Sequence, residues 1–195
     1  MSADWPSDWY ASPSAWISII WVMWLLSWLA ASVWTRRNAA RAGAREWPSL
    51  IVTAIGFYFV LAPRTPLFGP EWDFGAPLMW AMAALVLAGG VFAWWARIHL
   101  GAYWSGTVTR KEGHRIIDTG PYALVRHPIY TGLILAGAAT AFTRGHFASL
   151  VGAVLLALGF WLKARLEEKF LSVDLGEEYA AYRKRVPMLV PFAPR

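Results

Sequence analysis

Two stretches of this 195-residue chain, AWISIIWVMWLLSWLAASVW (15–34) and APLMWAMAALVLAGGVFAWWA (76–96), run for about twenty residues without a charged side chain. A helix rises ~1.5 Å per residue, so about 20 apolar residues cross a hydrocarbon core ~30 Å thick. Both stretches are predicted to be transmembrane helices, which makes the bilayer the solvent for the fold. The remaining composition agrees. Hydrophobic residues make up 57% of the chain and 14 residues are tryptophan, against an apolar share of roughly 45–50% in soluble domains.

Three further apolar runs, 47–62, 128–143 and 147–162, are about sixteen residues long and as helices reach only about 24 Å. They must recruit flanking residues, thin the bilayer or stay buried. Only Arg144, Gly145 and His146 separate the last two, the length of a tight helical hairpin. The predicted fold is an all-α integral membrane protein with about five transmembrane helices, the last two a short hairpin. The 97–127 connection and the C-terminal helix form a cytosolic-facing cap. Residues 1–75 supply two spans, and residues 76–195 supply three spans with the loop and tail. Asp4 and Asp8 precede the first span with no basic residue among them, so that helix is expected to be retained rather than cleaved as a signal peptide.

Basic residues choose the orientation. Arg36, Arg37, Arg41 and Arg45 follow the first span; Arg97, Arg110, Lys111, Arg115 and Arg126 follow the third; Lys163, Arg165, Lys169, Arg183, Lys184, Arg185 and Arg195 follow the fifth. Arg64 and Arg144 are left for the opposite face. The positive-inside rule then puts the N-terminus outside and the C-terminus in the cytoplasm. Topology accounts for the formal charge of +6, and no nucleic-acid partner is expected.

Several chemistries fall away. The chain has no cysteine, which excludes disulfides, thiolate nucleophiles and cysteine-ligated zinc. Its four histidines, His99, His114, His127 and His146, lack paired-ligand spacing, so no metal is expected. No phosphate loop, dinucleotide fingerprint or serine elbow is present. What stands out is polar sequence in greasy surroundings: GPYALVRHPIYTG (120–132) and KARLEEKFLSVDLGEEYAAYRKRVP (163–187).

Pro128 fits the first turn of a helix, where its missing N–H is harmless, and it pushes His127 toward an extended backbone. Such a helix start suits an anionic group. Gly132, one turn on, leaves a gap for a flat ligand or another helix. An interfacial belt of Tyr122 and Tyr130 beside a snorkelling Arg126 is the alternative. The second segment reads as one helix leaving the membrane, broken near Gly176 and resumed with Tyr179 and Tyr182. Its Glu167–Glu168 pair can face Arg126–His127 across the hairpin, or lie in a solvated helix with local ion pairs.

In order along the chain, AR, LG and WS within 96–105, His114, GPY at 120–122, RHPIYTG at 126–132, EE at 167–168 and GEEYAAYRKRVP at 176–187 resemble the isoprenylcysteine carboxyl methyltransferase family. More distantly they resemble membrane phospholipid methyltransferases. The resemblance covers roughly residues 80–192; residues 1–75 match only as hydrophobic spans. It implies an integral-membrane enzyme that uses S-adenosyl-L-methionine, with a pocket built from the 114–132 region and the tail.

On that resemblance the cofactor-binding set is His114, Gly120, Tyr122, Arg126, His127, Pro128, Tyr130, Gly132, Glu167 and Glu168. Arg126, His127 and the helix start would meet the cofactor's carboxylate, and Glu167 or Glu168 its ammonium. Tyr122 and Tyr130 offer flat faces to the adenine or sulfonium. Arg97 matches the arginine the family uses near its acceptor, with Trp104 and Ser105 lining that side; a membrane anchor is its other reading. Glu168 or His114 would serve as base for an acceptor that needs one. The partner implied is a lipophilic small-molecule or prenylated acceptor in contact with membrane lipid. Carboxyl O-methylation of a prenylcysteine-like carboxylate is the leading expectation. A phenolic lipid, thiol or phospholipid amine is the alternative acceptor, and a non-catalytic lipid-binding or scaffold protein is the alternative of another class.

Overall fold

The computed structural model describes residues 12–34, 43–61, 71–105 and 116–193, together with the backbone of 38–41 and 109–111. His114, Arg36, Arg37, Arg64, Arg115 and Arg195 lie outside the described residues.

Five α-helices follow the apolar runs: α1 (Pro13–Ala31), α2 (Trp47–Leu61), α3 (Ala76–Leu100), α4 (Pro128–Arg144) and α5 (Phe147–Arg185). Proline occupies the first turn of α1, α3 and α4, where helices leave backbone donors without intrahelical partners. Gly145 ends α4 at φ 68°, a left-handed stop that favours glycine. His146 then starts α5 by accepting the Ser149 amide on its ring at 3.1 Å. The expected hairpin is therefore present, with a tighter turn than three free loop residues. Helix α5 runs for 39 residues and breaks at Gly176 (φ 51°, ψ −124°), where the sequence predicts the break.

Among the described residues, three helices are long and apolar enough to cross a membrane: α1, α3 with its extension to Tyr103, and α5. At 15 and 17 residues, α2 and α4 reach about 22–26 Å. One element departs from an all-helical expectation. Asn38–Arg41 (β1) and Thr109–Lys111 (β2) pair antiparallel, Asn38 opposite Lys111 and Arg41 opposite Thr109. This ribbon joins the α1–α2 connection to the α3–α4 connection at one end of the bundle. At the other end Glu71 pairs with His146, and the Trp72 amide donates to Gly145 O at 2.8 Å.

Backbone-to-backbone approach holds the helices together. A Cβ built on Gly132 of α4 would lie 2.4 Å from Gly89 O of α3, and one on Gly89 would lie 2.5 Å from Gly132 O. A Cβ on Gly159 of α5 would meet Thr53 of α2, and one on Gly152 would meet Val60 N at 2.8 Å. Small residues are used this way in membranes because lipid tails are as apolar as leucine and packing must supply the attraction. Helix α1 is the least enclosed: Val22, Met23, Leu25, Leu26 and Leu29 are all more than half exposed. Its inner face is held by Trp21, whose Nε1 donates to Thr140 Oγ1 at 2.9 Å, and by Ser27, which accepts from Trp94 at 3.1 Å.

Because backbone on both sides would have to shift, Gly132→Ala is expected to destabilise the protein by about 1–3 kcal/mol. A lowered midpoint of thermal unfolding in detergent checks this, with Leu26→Ala on the open face of α1 expected to change little.

Candidate functional site

At the end of the bundle where α3 finishes and α4 begins lies a cavity of about 250 Å³. Its wall has two characters. Trp24 and Trp28 of α1, Leu100 at the end of α3, Trp104 just after it, Leu133 of α4 and Phe160 of α5 form an apolar, aromatic side. Arg126 and His127 before α4 and Lys163, Glu167 and Asp174 of α5 form a charged side. The α5 contributors Lys163, Glu167, Phe170, Leu171 and Asp174 recur at the spacing of one helical face, so a single stripe runs from the interior to the mouth.

The charged side is built by the hairpin, the first of the two arrangements the sequence allows. Arg126 Nε and Nη2 lie 2.7 and 2.6 Å from Glu168 Oε1, with both side chains buried. His127 sits between the two glutamates, Nδ1 3.4 Å from Glu167 Oε2 and Nε2 3.3 Å from Glu168 Oε1. Tyr130 donates its hydroxyl to Glu167 Oε1 at 2.5 Å and stacks between the His127 ring, 5.6 Å away, and Phe160, 5.0 Å away. Burial by itself pulls the His127 pKa down, but hydrogen bonds and attraction from Glu167 and Glu168 outweigh it and leave the pKa raised. Burial, reinforced by the negative field of Glu167, pushes the Tyr122 phenol far above its usual value. Tyr122 therefore stays neutral and offers a flat face.

The C-terminal segment clamps this arrangement. The amides of Arg126 and His127 donate to Pro187 O (2.9 Å) and Met188 O (3.1 Å), and Thr131 Oγ1 donates to Leu189 O at 2.6 Å. Arg126 Nη1 also donates to Val186 O, and Tyr182 donates its hydroxyl to Tyr122 O at 2.7 Å. The two backbone donors just before α4 are thus used by the chain itself.

The predicted site residues divide accordingly. Tyr122, Arg126, His127, Pro128, Tyr130, Glu167, Trp104 and Ser105 line the cavity. Glu168 does not; both its oxygens face cations, Arg126 and His127 on one and Arg183 at 3.6 Å on the other. Of the two glutamates the one toward the cavity is Glu167. Gly132 packs on α3, and Gly120 (φ 58°) lies under the His99 ring, 2.8 Å from where a Cβ would stand; neither belongs to the cavity wall. His99 in turn bonds Thr119 at 2.9 Å.

Arg97 stands apart from the cavity wall. It is fully buried and donates to Gly101 O (2.7 Å), Ala31 O (2.9 Å) and Trp34 O (2.8 Å). Its guanidinium lies 4.4 Å from the Trp104 ring and 5.1 Å from that of Trp34. It therefore sits behind Trp104 rather than on the cavity wall, and closes the last turn of α1 onto the end of α3.

Sequence reasoning missed Trp24, Trp28, Lys163 and Asp174. Lys163 and Asp174 were legible in principle, since both share the helical face of Glu167. The tryptophans were not, because in a membrane span a cavity-facing and a lipid-facing tryptophan carry the same signal.

Comparison with known proteins gives this cavity a context. Residues 82–173 match the isoprenylcysteine carboxyl methyltransferase (ICMT) family. That stretch holds α3 from its second turn, the hairpin and α5 through the glutamate pair, and so most of the cavity wall. The chain is 35% identical over 86 residues to a protein-S-isoprenylcysteine O-methyltransferase of Schizosaccharomyces pombe, covering 44% of this chain and 36% of that one. It is 46% identical over 71 residues to a methanethiol S-methyltransferase of a Pseudomonas species, covering 36% and 26%. With protein-S-isoprenylcysteine O-methyltransferase B of Arabidopsis thaliana the figures are 29% over 89 residues, 44% of each chain. The matches thus span well under two thirds of these relatives.

Two outcomes follow from the charge cluster. Glu168→Ala leaves Arg126 buried without its carboxylate, and removing one partner of a buried pair costs about 3–5 kcal/mol; a large fall in unfolding midpoint is expected. The second concerns pH. Because the folded pKa of His127 is raised, the stability it contributes is fully present below its ordinary value of about 6.5 and is lost as pH rises through the higher folded pKa. Unfolding midpoints measured from pH 6 upward should fall in that window, and His127→Asn should flatten the profile.

Proposed function

We propose that the protein transfers a methyl group from S-adenosyl-L-methionine to a lipophilic acceptor at the cytoplasmic face of the membrane. The supporting observation is the two-sided cavity: fixed charges of both signs on one wall, stacked aromatic rings on the other. The donor set suits the cofactor, which combines an ammonium, a carboxylate, a sulfonium and a flat base. When bound it supplies an activated methyl group.

In this reading Glu167, oriented by Tyr130 and His127, holds the ammonium. Arg126 has five N–H donors, not all spent on Glu168 and the tail, and holds the carboxylate. Tyr122 and Tyr130 present ring faces to the base or sulfonium. Glu168 acts one step back, fixing Arg126 and His127. The acceptor's apolar body lies along Trp24, Trp28, Leu133 and Phe160. Lys163, 5.8 Å from the Tyr130 ring and one turn deeper in α5 than Glu167, orients its anionic end. Arg97 holds Trp104 against the cavity and, through it, Trp28, whose ring packs edge-on at 5.5 Å. Displacement at a methyl group needs alignment, so positioning supplies much of the rate.

The leading acceptor is a prenylcysteine-like or other lipophilic carboxylate, which is already ionised and needs no base. A thiol is the second reading, favoured by the similarity to methanethiol S-methyltransferases. Residues 76–195 form the methyltransferase core in this scheme, and the first of the two preceding spans, α1, completes its wall through Trp24 and Trp28. All five helices cross the bilayer, with the N-terminus outside and the site cytoplasmic, as the placement of basic residues supports.

Calorimetry of purified protein with S-adenosyl-L-methionine, then turnover with lipophilic carboxylates and thiols, tests the proposal. Glu167→Gln should weaken cofactor binding roughly ten- to hundred-fold, the equivalent of a charge-assisted hydrogen bond. Lys163→Met should leave that affinity nearly intact and cut turnover by about a hundred-fold or more. No cofactor binding by folded protein would return the chain to a lipid-binding or scaffold role.

A further inference from the structure

Beyond Leu189, the residue whose carbonyl accepts from Thr131 in the first turn of α4, the chain makes a tight turn closed by the Ala193 amide on Val190 O at 3.2 Å. The turn throws its apolar side chains outward. Val190 is 63% exposed and Phe192 94%. Phe192 also has φ 63°, the one non-glycine positive φ among the described residues, a conformation that an L side chain adopts only at a cost. An aromatic ring held out in this way is unfavourable in water twice over: through its apolar surface and through its backbone.

The surroundings identify what meets it. The tail lies along the first turn of α4, level with the point where that apolar helix leaves the polar connection. Immediately before the tail stand Arg183, Lys184 and Arg185, all exposed, of which Arg183 and Arg185 also reach Glu168 and Asp118. An apolar tip beside a basic run, at the end of a membrane helix, is complementary to the headgroup layer of a bilayer containing anionic lipid. We propose that the 190–193 turn inserts into that layer as an interfacial anchor, with the basic run on the anionic headgroups. Since residues 187–189 carry the carbonyls that hold the Arg126 and His127 amides and the Thr131 hydroxyl, the anchor fastens the clamp of the cavity to the membrane surface. The inference rests on the membrane reading of the helices and is independent of methyl transfer.

The absence of native cysteine permits clean site-directed spin labelling. Phe192→Cys and Val190→Cys are labelled in nanodiscs of phosphatidylcholine alone or with phosphatidylglycerol, with Lys184→Cys as an aqueous reference and Leu26→Cys in α1 as a bilayer reference. The expected result is an oxygen-to-nickel accessibility ratio at 192 and 190 severalfold above that at 184, below that at 26, and higher in the anionic discs. Labels at 192 and 190 as open to nickel as 184 would overturn the anchor if the label at 26 is lipid-shielded; an aqueous label at 26 would overturn the membrane reading as well. Equal depth in the two lipids would remove the basic run from the proposal. Dipolar broadening between labels would replace the bilayer with a second copy of the chain.

Discussion

Everything in the polar end of the molecule depends on the charges buried where α4 begins and α5 leaves the bundle. Arg126, His127, Glu167 and Glu168 come within 2.6–3.4 Å of one another. Such groups are costly to take out of water and stable only when every member keeps its partners. Here each has more than one. Arg126 is shared between a carboxylate and tail carbonyls, His127 between two carboxylates, and Glu167 between an imidazole and a phenol. That mutual satisfaction fixes Glu167 at the cavity wall, and it makes the C-terminal segment part of the site although little of it touches the cavity.

The apolar half of the fold solves a different problem. In lipid no hydrophobic force drives one helix onto another, so the helices approach until backbones touch, Gly89 on Gly132 and Gly152 on Gly56. The same contact sets the width of the cavity: α4 lies hard against α3, which brings Leu133 of α4 opposite Leu100 and Trp104 at the end of α3. Arg97 secures the remaining wall. Its donors reach three carbonyls from two elements and its face meets two indoles, so the guanidinium joins α1 to α3.

By itself the sequence determined the number, order and approximate limits of the apolar helices. Those follow from uninterrupted hydrophobic length, from proline at helix starts and from glycine at Gly145 and Gly176, all local properties. It allowed Arg126–His127 and Glu167–Glu168 to meet across a short hairpin, but left a solvated helix with local ion pairs equally open; the structure chose the meeting. Tertiary structure alone decided which glutamate faces the cavity, that Gly120 and Gly132 serve packing, that Trp24 and Trp28 are walls and not lipid anchors, and that Arg97 turns inward. It decided too that the chain around 38–41 and 109–111 pairs as a ribbon. The physical reason is common to all of these. Hydrophobicity reports whether a residue leaves water, but a side chain's rotation about its helix and its distant partners depend on contacts between segments far apart in the chain, and composition carries no record of them.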